Sequence, residues 1–459
     1  MPFPVLGSNS AVAGYEIDNS LRFNNDDSAY MQYTPSSASS SRTKWTWSGW
    51  IKRGHEAVDE NNDYHRFFCV DADINNYIIT GFNISGAFNV TARNSNTQVL
   101  KFETGSGQFR DHSAWYHIVM AYDSTQSTAR NRFRVYFNGV EDTRALATTP
   151  SENLELTVLN TSEHNIGRDN HSGTTYYYDG YMSEVHFVDG TQYAASDFGE
   201  FNDNGVWIPK EADVTYGTNG FKLEFKNSGS LGTDTSGNGN NLTATNLTAT
   251  DQTTDTPTNN FCTVNPLDSG TVTFAEGNCE ITCSDSETDG ARGTIGVQNG
   301  KWYFEFKLIS HAGGDPPQVF GVAQSNAQLS TWVSTGNYAV YEIDSGKKRI
   351  NGSQSTYGAT ATDNDIIGVA LNMDDNEVTF YKNGSSQGTI TSATSSGEFY
   401  FPYIIDGTSS RGHTTQVNFG NAPFTISSGN SDSAGLGNFE YAVPSGYYSL
   451  CTKNLAEYG

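Results

Sequence analysis

The chain has 459 residues, of which 51 are acidic and 26 are basic, so its formal net charge is 26 − 51 = −25. Neutralising phosphates supplies most of the non-specific affinity for nucleic acid, so we do not expect this acidic chain to bind it. No run of about eighteen consecutive apolar residues is present, and we expect no membrane insertion. Aromatic residues make up 13% of the chain, which favours large hydrophobic cores over disorder.

The amino terminus carries two prolines among its first four residues, which favour an extended path. We therefore predict that residues 1–14 form an extended arm. The first seven residues lack a basic start followed by an apolar run, so we expect no secretory signal and folding in a cytosol.

Short alternating segments separated by turn residues follow along the chain, and no helical period longer than two turns is convincing. Many short strands at regular spacing predict an all-β protein. Asn138-Gly139 and Asn383-Gly384 each follow a strand-like run, and Asn-Gly fits a type I′ hairpin turn because both positions tolerate positive φ. One such hairpin in each half predicts two antiparallel β-sandwiches. The predicted strands are 46–51, 67–70, 115–122, 133–137, 182–188, 302–308, 319–323, 366–371 and 378–381.

A polar segment separates the two halves. Residues 227–260 are rich in Thr, Asn, Gly and Asp and contain no Lys or Arg, a composition typical of a linker or an extended surface strap. The predicted organisation is an arm over 1–14, a sandwich over 15–190, a polar linker or strap over 191–265, a second sandwich over 266–452 and a tail over 453–459.

The five cysteines are an odd and sparse set without a C-x-x-C pair. Structural zinc is therefore not expected. The sequence predicts free, mostly buried thiols.

Motifs in the first half resemble laminin-G-like domains of the concanavalin A-like lectin type. Residues 45–52 (WTWSGWIK) and 115–119 (WYHIV) are similar to two strands of that family, in the family's order. Further matching segments are 20–23, 133–139, 165–167 and 178–185. The resemblance covers about residues 15–190 and implies a jelly-roll-like sandwich that binds carbohydrate.

Motifs in the second half resemble a SPRY domain. Residues 300–306 (GKWYFEF) and 320–323 (FGVA) match two of its strands, and residues 365–384 match its central strand pair. The resemblance covers about residues 268–452 and implies a second β-sandwich.

The combination resembles large virion proteins of marine tailed bacteriophages. It implies a non-enzymatic structural protein of the virion, made in the host cytoplasm and exposed on the particle as a tail-fibre or tail-associated adhesin. Its expected partners are host-surface glycans, other virion proteins and further copies of itself. Two alternatives stay open, a purely structural head-decoration, collar or tail-scaffold protein and a polysaccharide depolymerase.

The depolymerase hypothesis depends on an E-x-D-x-x-E strand, in which two carboxylates flank the scissile bond of a glycan. Glu16-Ile17-Asp18 and Glu342-Ile343-Asp344 begin this pattern. Neither continues, because Leu21 and Lys347 stand where the second Glu would be. We therefore expect no catalytic residues.

Calcium is the one cofactor that the sequence suggests. Asp71 and Asp73 follow a strand that ends near residue 70, and Asp169 and Asn170 follow the Ile166-Gly167 turn. Their oxygens are ligands that suit Ca²⁺ if the two loops meet across the rim of a lectin-like sandwich. The alternative is that each residue caps a turn, as Asp and Asn commonly do.

Glycan recognition is predicted where aromatic rings lie beside polar groups on loops. In the first half these residues are Asn170, His171, Tyr176 and Tyr178, and strand alternation places the two tyrosines on one face. In the second half they are Trp332, Tyr338 and Tyr357, in segments that resemble the variable loops of SPRY domains. The alternative for these aromatic residues is ordinary strand packing.

Overall fold

The computed structural model describes residues 14–39, 41–54, 64–156, 160–171, 173, 175–283, 289–311, 318–330, 336–406 and 412–459. Their regular structure is nearly all β, mostly in antiparallel sheets, which confirms the predicted all-β class and its two sandwiches. The chain forms two compact units, one ending at Thr258 and the other running from Asn259 to Gly459. All of the predicted arm except Gly14 lies outside the described residues. Among the described residues, no helix has the length and apolar character needed to cross a bilayer.

The first unit contains strands β1 to β19 and short 3₁₀ turns at Ala129–Arg132, Ala195–Asp197 and Ala249–Asp251. The strands are β1 Ser20–Phe23, β2 Tyr30–Tyr33, β3 Lys44–Arg53, β4 His65–Asp73, β5 Asn76–Phe82, β6 Phe88–Asn94, β7 Thr97–Glu103, β8 Trp115–Asp123, β9 Phe133–Phe137, β10 Val140–Glu141, β11 Glu163–Ile166, β12 Arg168–Asp169, β13 Tyr176–Tyr177, β14 Gly180–Asp189, β15 Gly199–Phe201, β16 Trp207–Pro209, β17 Phe221–Leu223, β18 Thr243–Thr245 and β19 Gln252–Thr253.

Two main sheets enclose the core of the first unit. One has the order β10-β9-β8-β3-β14-β1-β19, with β17 also paired to β14, and the other has the order β18-β2-β11-β4-β5-β6-β7. Trp45 and Trp47 of β3 are fully buried between the sheets, where the Trp45 ring stacks on Tyr122 at 5.9 Å and Trp47 lies 5.0 Å from Phe67. Each such aromatic side chain contributes about 1.5–3 kcal/mol of transfer free energy, which fixes the register of the central strands.

Most of the polar segment predicted as a linker or strap belongs to the first sandwich. Its strands β17, β18 and β19 pair with β14, β2 and β1. Residues 193–216 cover the other face of the β3-containing sheet, where Trp50 packs in a second apolar cluster with Phe198 and Trp207. This sheet is therefore buried on both faces. The segment thus follows the strap alternative over the free linker, because polar side chains such as Asn240 and Asn246 bond to backbone carbonyl groups of the sandwich.

The second unit contains strands β20 to β34, a 3₁₀ turn at Glu276–Asn278 and the helix α1 at Thr452–Tyr458. The strands are β20 Val264–Ser269, β21 Val272–Ala275, β22 Glu280–Cys283, β23 Gly290–Gly293, β24 Lys301–Ser310, β25 Val319–Ala323, β26 Tyr338–Glu342, β27 Lys347–Ile350, β28 Ser353–Thr356, β29 Ile366–Asn372, β30 Glu377–Lys382, β31 Ser385–Ile390, β32 Phe401–Ile405, β33 His413–Asn418 and β34 Tyr448–Ser449.

The second unit also consists of two facing sheets. Their orders are β20-β23-β32-β25-β26-β27-β28 and β21-β22-β33-β24-β29-β30-β31, with β34 paired to β24. Phe306 of β24 stacks on Phe320 of β25 with ring centroids 4.6 Å apart, and this contact joins the two sheets through the core.

The two Asn-Gly hairpins and the free thiols are confirmed. Asn138 and Gly139 have φ of 46° and 81°, and Asn383 and Gly384 have φ of 48° and 76°, which are the positive values that a type I′ turn needs. All five cysteines are free and buried.

Candidate functional site

Three metal-ligating side chains meet beside β4 of the first unit. Asp71 is on β4, Asp169 is on β12, and His171 is two residues beyond the end of β12. One ligand atom from each side chain lies within 4.8 Å of the others. We call Asp71, Asp169 and His171 the Asp–His cluster.

Hydrogen bonds hold one oxygen of each carboxylate. Asp71 Oδ2 accepts from the Asn165 side-chain amide at 3.0 Å and from the Asn170 backbone N–H at 3.1 Å. Asp169 Oδ1 accepts from His171 Nδ1 at 2.6 Å and from the His171 backbone N–H at 3.2 Å. These bonds orient both carboxylates and the imidazole before any ligand arrives.

The other oxygen of each carboxylate accepts no hydrogen bond from the described part of the chain. Asp71 Oδ1 and Asp169 Oδ2 are both buried, and the cationic Arg66 side chain comes no closer to Asp169 Oδ2 than 3.9 Å, at Nε. A buried carboxylate oxygen that accepts no hydrogen bond is costly, so a ligand that contacts these oxygens would be stabilising. Two carboxylates and an imidazole are ligand types that divalent cations bind.

The pKa of Asp71 reflects its burial and the negative charge of the neighbouring Asp169 carboxylate. Burial is the largest cause and the Asp169 carboxylate is the second, and together they raise the pKa of Asp71 from 3.8 to about 7. A bound cation would remove both effects, because it replaces lost hydration and neutralises the neighbouring charge.

Aromatic rings lie beside the Asp–His cluster, and Tyr77 is buried whereas Tyr64 and Tyr176 are half-buried. The His171 ring lies on Tyr77, with centroids 3.9 Å apart. Tyr176 pairs with Asp169 across the β12–β13 ladder, and its ring meets the edge of Tyr64 at 5.1 Å. Side chains that could hold a cation thus lie next to aromatic rings. A bound cation can contact sugar hydroxyls, and an aromatic ring can pack on the C–H face of a sugar.

Two of the residues predicted to bind calcium lie close together, and calcium binding itself stays a prediction. Asp71 and Asp169 come together as expected, and the backbone of Asn170 contacts Asp71. Asp73 does not join them, since its exposed carboxylate accepts hydrogen bonds from Asn75 and Asn76 in the β4–β5 turn. Asp73 therefore caps a turn, as the alternative interpretation of the sequence predicts.

The glycan prediction needs correction at two tyrosines. Tyr178 is fully buried in the core and donates a hydrogen bond to the carbonyl of Lys52, so no ligand can reach it. The chain leaves β13 before this residue, so the alternation that joined it to Tyr176 does not hold. Tyr338 of β26 is fully buried as well.

The other residues predicted to bind glycans lie in different environments. Tyr176 is half-buried beside the Asp–His cluster, whereas His171 is one of its ligating side chains. Tyr357 is half-buried and packs on Tyr341 and Phe380, so it follows the strand-packing alternative. Trp332 lies outside the described residues.

Sequence reasoning missed two aromatic residues of the site. Tyr77 is the register partner of Asp71 in the β4–β5 hairpin. The Asn75-Asn76 turn signal together with strand alternation could have placed it there. Tyr64 had no comparable signal, because it precedes β4 and reaches Tyr176 only through the tertiary fold.

Two family models match the chain. One, described as the concanavalin A-like lectin/glucanases superfamily, matches residues 25–195, and the other, described as the SPRY domain, matches residues 301–422. These matches confirm the two resemblances in their predicted order.

Similar proteins cover smaller parts of the chain. The ATP-dependent RNA helicase DDX1 of Xenopus laevis is 33% identical over 128 residues, which are 27% of this chain and 16% of that protein. Ran-binding protein 9 of Xenopus tropicalis is 31% identical over 130 residues, which are 28% of this chain and 23% of that protein. The chain therefore spans less than a quarter of the length of either relative.

Two solved structures are also similar to part of this chain. The SPRY domain of human HERC1 matches 34% of this chain and 96% of that chain, with 19% sequence identity and a TM-score of 0.31. The stonustoxin structure matches 34% of this chain and 27% of that chain, with 17% identity and a TM-score of 0.28.

Proposed function

We propose, from the premise that the chain carries a concanavalin A-like lectin domain followed by a SPRY domain, that it is a non-enzymatic binding protein whose first unit captures glycans. Both domains are binding modules, so a binding role is the coarse function that the fold supports. The finer proposal is that glycans bind at the Asp–His cluster and that a divalent cation is needed for this.

The observation that carries the proposal is the meeting of Asp71, Asp169 and His171. Among the described residues, one oxygen of each carboxylate accepts no hydrogen bond, and only the Arg66 guanidinium, 3.9 Å from Asp169 Oδ2, offers opposite charge to either oxygen. A cation bound there would supply open coordination positions for sugar hydroxyls. Two carboxylates suit Ca²⁺ or Mn²⁺, and the imidazole of His171 favours Mn²⁺ or Zn²⁺ over Ca²⁺. The ligand set thus broadens the calcium hypothesis to divalent cations in general.

The aromatic residues supply the second half of the site. The C–H face of a sugar packs on an aromatic ring, and Tyr176 and Tyr64 present half-buried rings close to Asp169. Asn170 is exposed and its backbone contacts Asp71, so its amide can bond to hydroxyls at the same place.

The local environment of the second E-x-D pattern, Glu342-Ile343-Asp344, supports a non-enzymatic role. Glu342 is fully buried and forms an ion pair with Arg349 at 2.8 Å. Asp344 contacts the His311 imidazole at 2.8 Å. Both carboxylates are thus engaged in the second unit, and a general acid would need access to its substrate.

The place of action is a further proposal, and it rests on the sequence resemblance to tailed-phage proteins. In this proposal the chain is made in the host cytoplasm and exposed on the virion, where it binds host-surface polysaccharide. Other virion proteins and further copies of the chain would be its remaining partners. Many weak sites on one particle would then give strong attachment.

A glycan array tests the proposed function. The full chain is applied in buffer with calcium or manganese chloride and again with EDTA, next to Asp71→Asn and Asp73→Asn. We expect binding that EDTA and Asp71→Asn abolish and that Asp73→Asn preserves. Binding that is insensitive to EDTA and to Asp71→Asn would refute the role of the cluster, and shortening of the bound polysaccharide would favour a depolymerase.

A further inference from the structure

A cavity lies on the first unit, lined by residues outside the Asp–His cluster. It has a volume of about 390 Å³ and opens between the β9–β10 hairpin and the β15–β16 hairpin. Pockets that hold small molecules begin at about this size and combine apolar walls with a few polar groups.

Trp207 forms a rigid wall of the cavity. Its ring lies so close to Gly139 and Gly199 that a Cβ added at either glycine would come within 2.2 Å and 2.5 Å of indole atoms. Its indole N–H donates to Nδ1 of the buried His117 at 3.1 Å. Burial lowers the pKa of His117 to about 3, so this imidazole stays neutral and remains an acceptor across the physiological range.

Phe201 forms the exposed lip of the cavity. Its side chain is 52% exposed, and its ring meets Trp207 at 4.9 Å with an angle of 69° between the planes. Val140, which follows the cavity residue Gly139, is 62% exposed. Two large apolar side chains are therefore exposed at or next to the cavity.

The polar groups at the cavity balance in charge. Glu200 is exposed and takes part in no salt bridge within the described ranges, whereas the Lys210 ammonium donates to the backbone carbonyl of Ser196 at 2.6 Å. The Glu200 carboxylate would repel an anionic ligand, and the Lys210 ammonium would repel a cationic one. A neutral ligand with both donors and acceptors satisfies both groups.

We propose that this cavity is a second sugar subsite, which holds one neutral pyranose ring without a divalent cation. The rings of Phe201 and Trp207 stand at a steep angle, and the C–H faces of a pyranose can pack against them. Glu200, Lys210 and Ser196 line the same cavity and can form hydrogen bonds with the sugar hydroxyls. The choice of sugar as ligand class rests on the proposed function. A single ring binds weakly, so capture on an array still depends on the Asp–His cluster.

Saturation-transfer NMR in EDTA tests the subsite with a set of probes. These are the methyl pyranosides of glucose, galactose, mannose and N-acetylglucosamine, applied to the full chain. We expect transfer to ring C–H protons of at least one probe, with affinity about tenfold lower in Phe201→Ala, which corresponds to about 1.4 kcal/mol. Glu200→Gln, which preserves the shape of the side chain, should lower the affinity for the same probe.

Phe399→Ala is the matched control, since Phe399 is another exposed phenylalanine, 45% exposed, in the second unit. The proposal is overturned if wild-type protein shows no transfer, if Phe201→Ala binds as wild type does, or if only N-acetylphenylalaninamide binds, which would indicate a protein side chain as the occupant. Because EDTA removes the cation, these outcomes are independent of the Asp–His cluster, whose failure would show on the array instead.

Discussion

Asp71 and Asp169 each bury one carboxylate oxygen that accepts no hydrogen bond from the described residues, and the two groups belong to the same three-residue cluster. Their strands come from distant parts of the chain, and β12 carries Asp169 to the side of β4. Their mutual repulsion helps to raise the pKa of Asp71 to about 7. The fold thus holds two negative groups together at a cost that a bound cation would offset.

Asp71→Asn should abolish divalent-cation binding. The amide keeps the size of the side chain and removes the charge, so titration calorimetry with calcium, manganese and zinc chlorides should show at least a tenfold loss of affinity for whichever ion wild-type protein binds. Asp73→Asn is the control, because Asp73 lies on the same strand and outside the cluster. Equal affinities for wild type and Asp71→Asn would exclude Asp71 as a ligand.

Cation affinity should rise with pH up to about pH 7 and then level off. Asp71 must lose its proton to bind a cation, and its pKa of about 7 means that roughly one tenth is ionised at pH 6. Calorimetry at pH 6 and pH 8 should therefore differ by up to about tenfold in affinity. A flat profile would show that Asp71 is already ionised at pH 6.

The stability of the cation-free protein should change in the opposite direction. Folding raises the pKa of Asp71, so its contribution is fully present below the unfolded value near 3.8 and is lost as pH rises through about 7. In EDTA, the melting temperature of wild type relative to Asp71→Asn should fall between pH 5 and pH 8. A constant difference across this range would contradict a raised pKa at Asp71.

The sequence predicted much of this site because its polar residues follow recognisable strands. Asp71 and Asp169 were found from strand ends, and Tyr176 from its aromatic run. Tyr178 was misplaced because alternation holds only while the chain stays in one strand, and β13 ends at Tyr177. Tyr64 was invisible because its contact with Tyr176 exists only in three dimensions.

Asp255→Ala should destabilise the first unit by about 3–5 kcal/mol, because it leaves a buried lysine without its partner. The Asp255 carboxylate contacts Lys52 Nζ at 2.7 Å, with both side chains almost fully buried, and accepts from the Trp115 indole at 3.1 Å. Calorimetric unfolding of the full chain measures the loss. Asp18→Ala is the control, since Asp18 is 67% exposed, and should change stability by less than about 0.5 kcal/mol.

The same residue shows why composition alone could not decide between a linker and a strap for the polar segment. Asp255 lies in the polar segment, whose composition is typical of a linker. Its carboxylate nevertheless forms an ion pair with Lys52 of β3, and the Ser20 hydroxyl donates a hydrogen bond to its backbone carbonyl at 2.6 Å. Polar residues that satisfy buried groups look identical in composition to those that face solvent. Strand periodicity, by contrast, located the core strands because alternating aromatic residues are typical of a strand with one face on a core.

Thiol labelling should distinguish the folded chain from the unfolded chain by the rate at which the cysteines react. All five cysteines are buried, and burial raises the pKa of Cys69 and Cys283, so their thiolates are scarce. A thiol reagent should react slowly with native protein and label five groups in denaturant. Fewer than five in denaturant without reductant would reveal a disulfide and contradict the free-thiol assignment.

The most direct test of the central claim is an anomalous difference map from a crystal of the full chain grown with manganese chloride. We expect a peak that Asp71, Asp169 and His171 coordinate together, and its absence from Asp71→Asn crystals. A map with no peak at these three residues, or with manganese bound only elsewhere on the chain, would contradict cation-dependent glycan capture by the first unit.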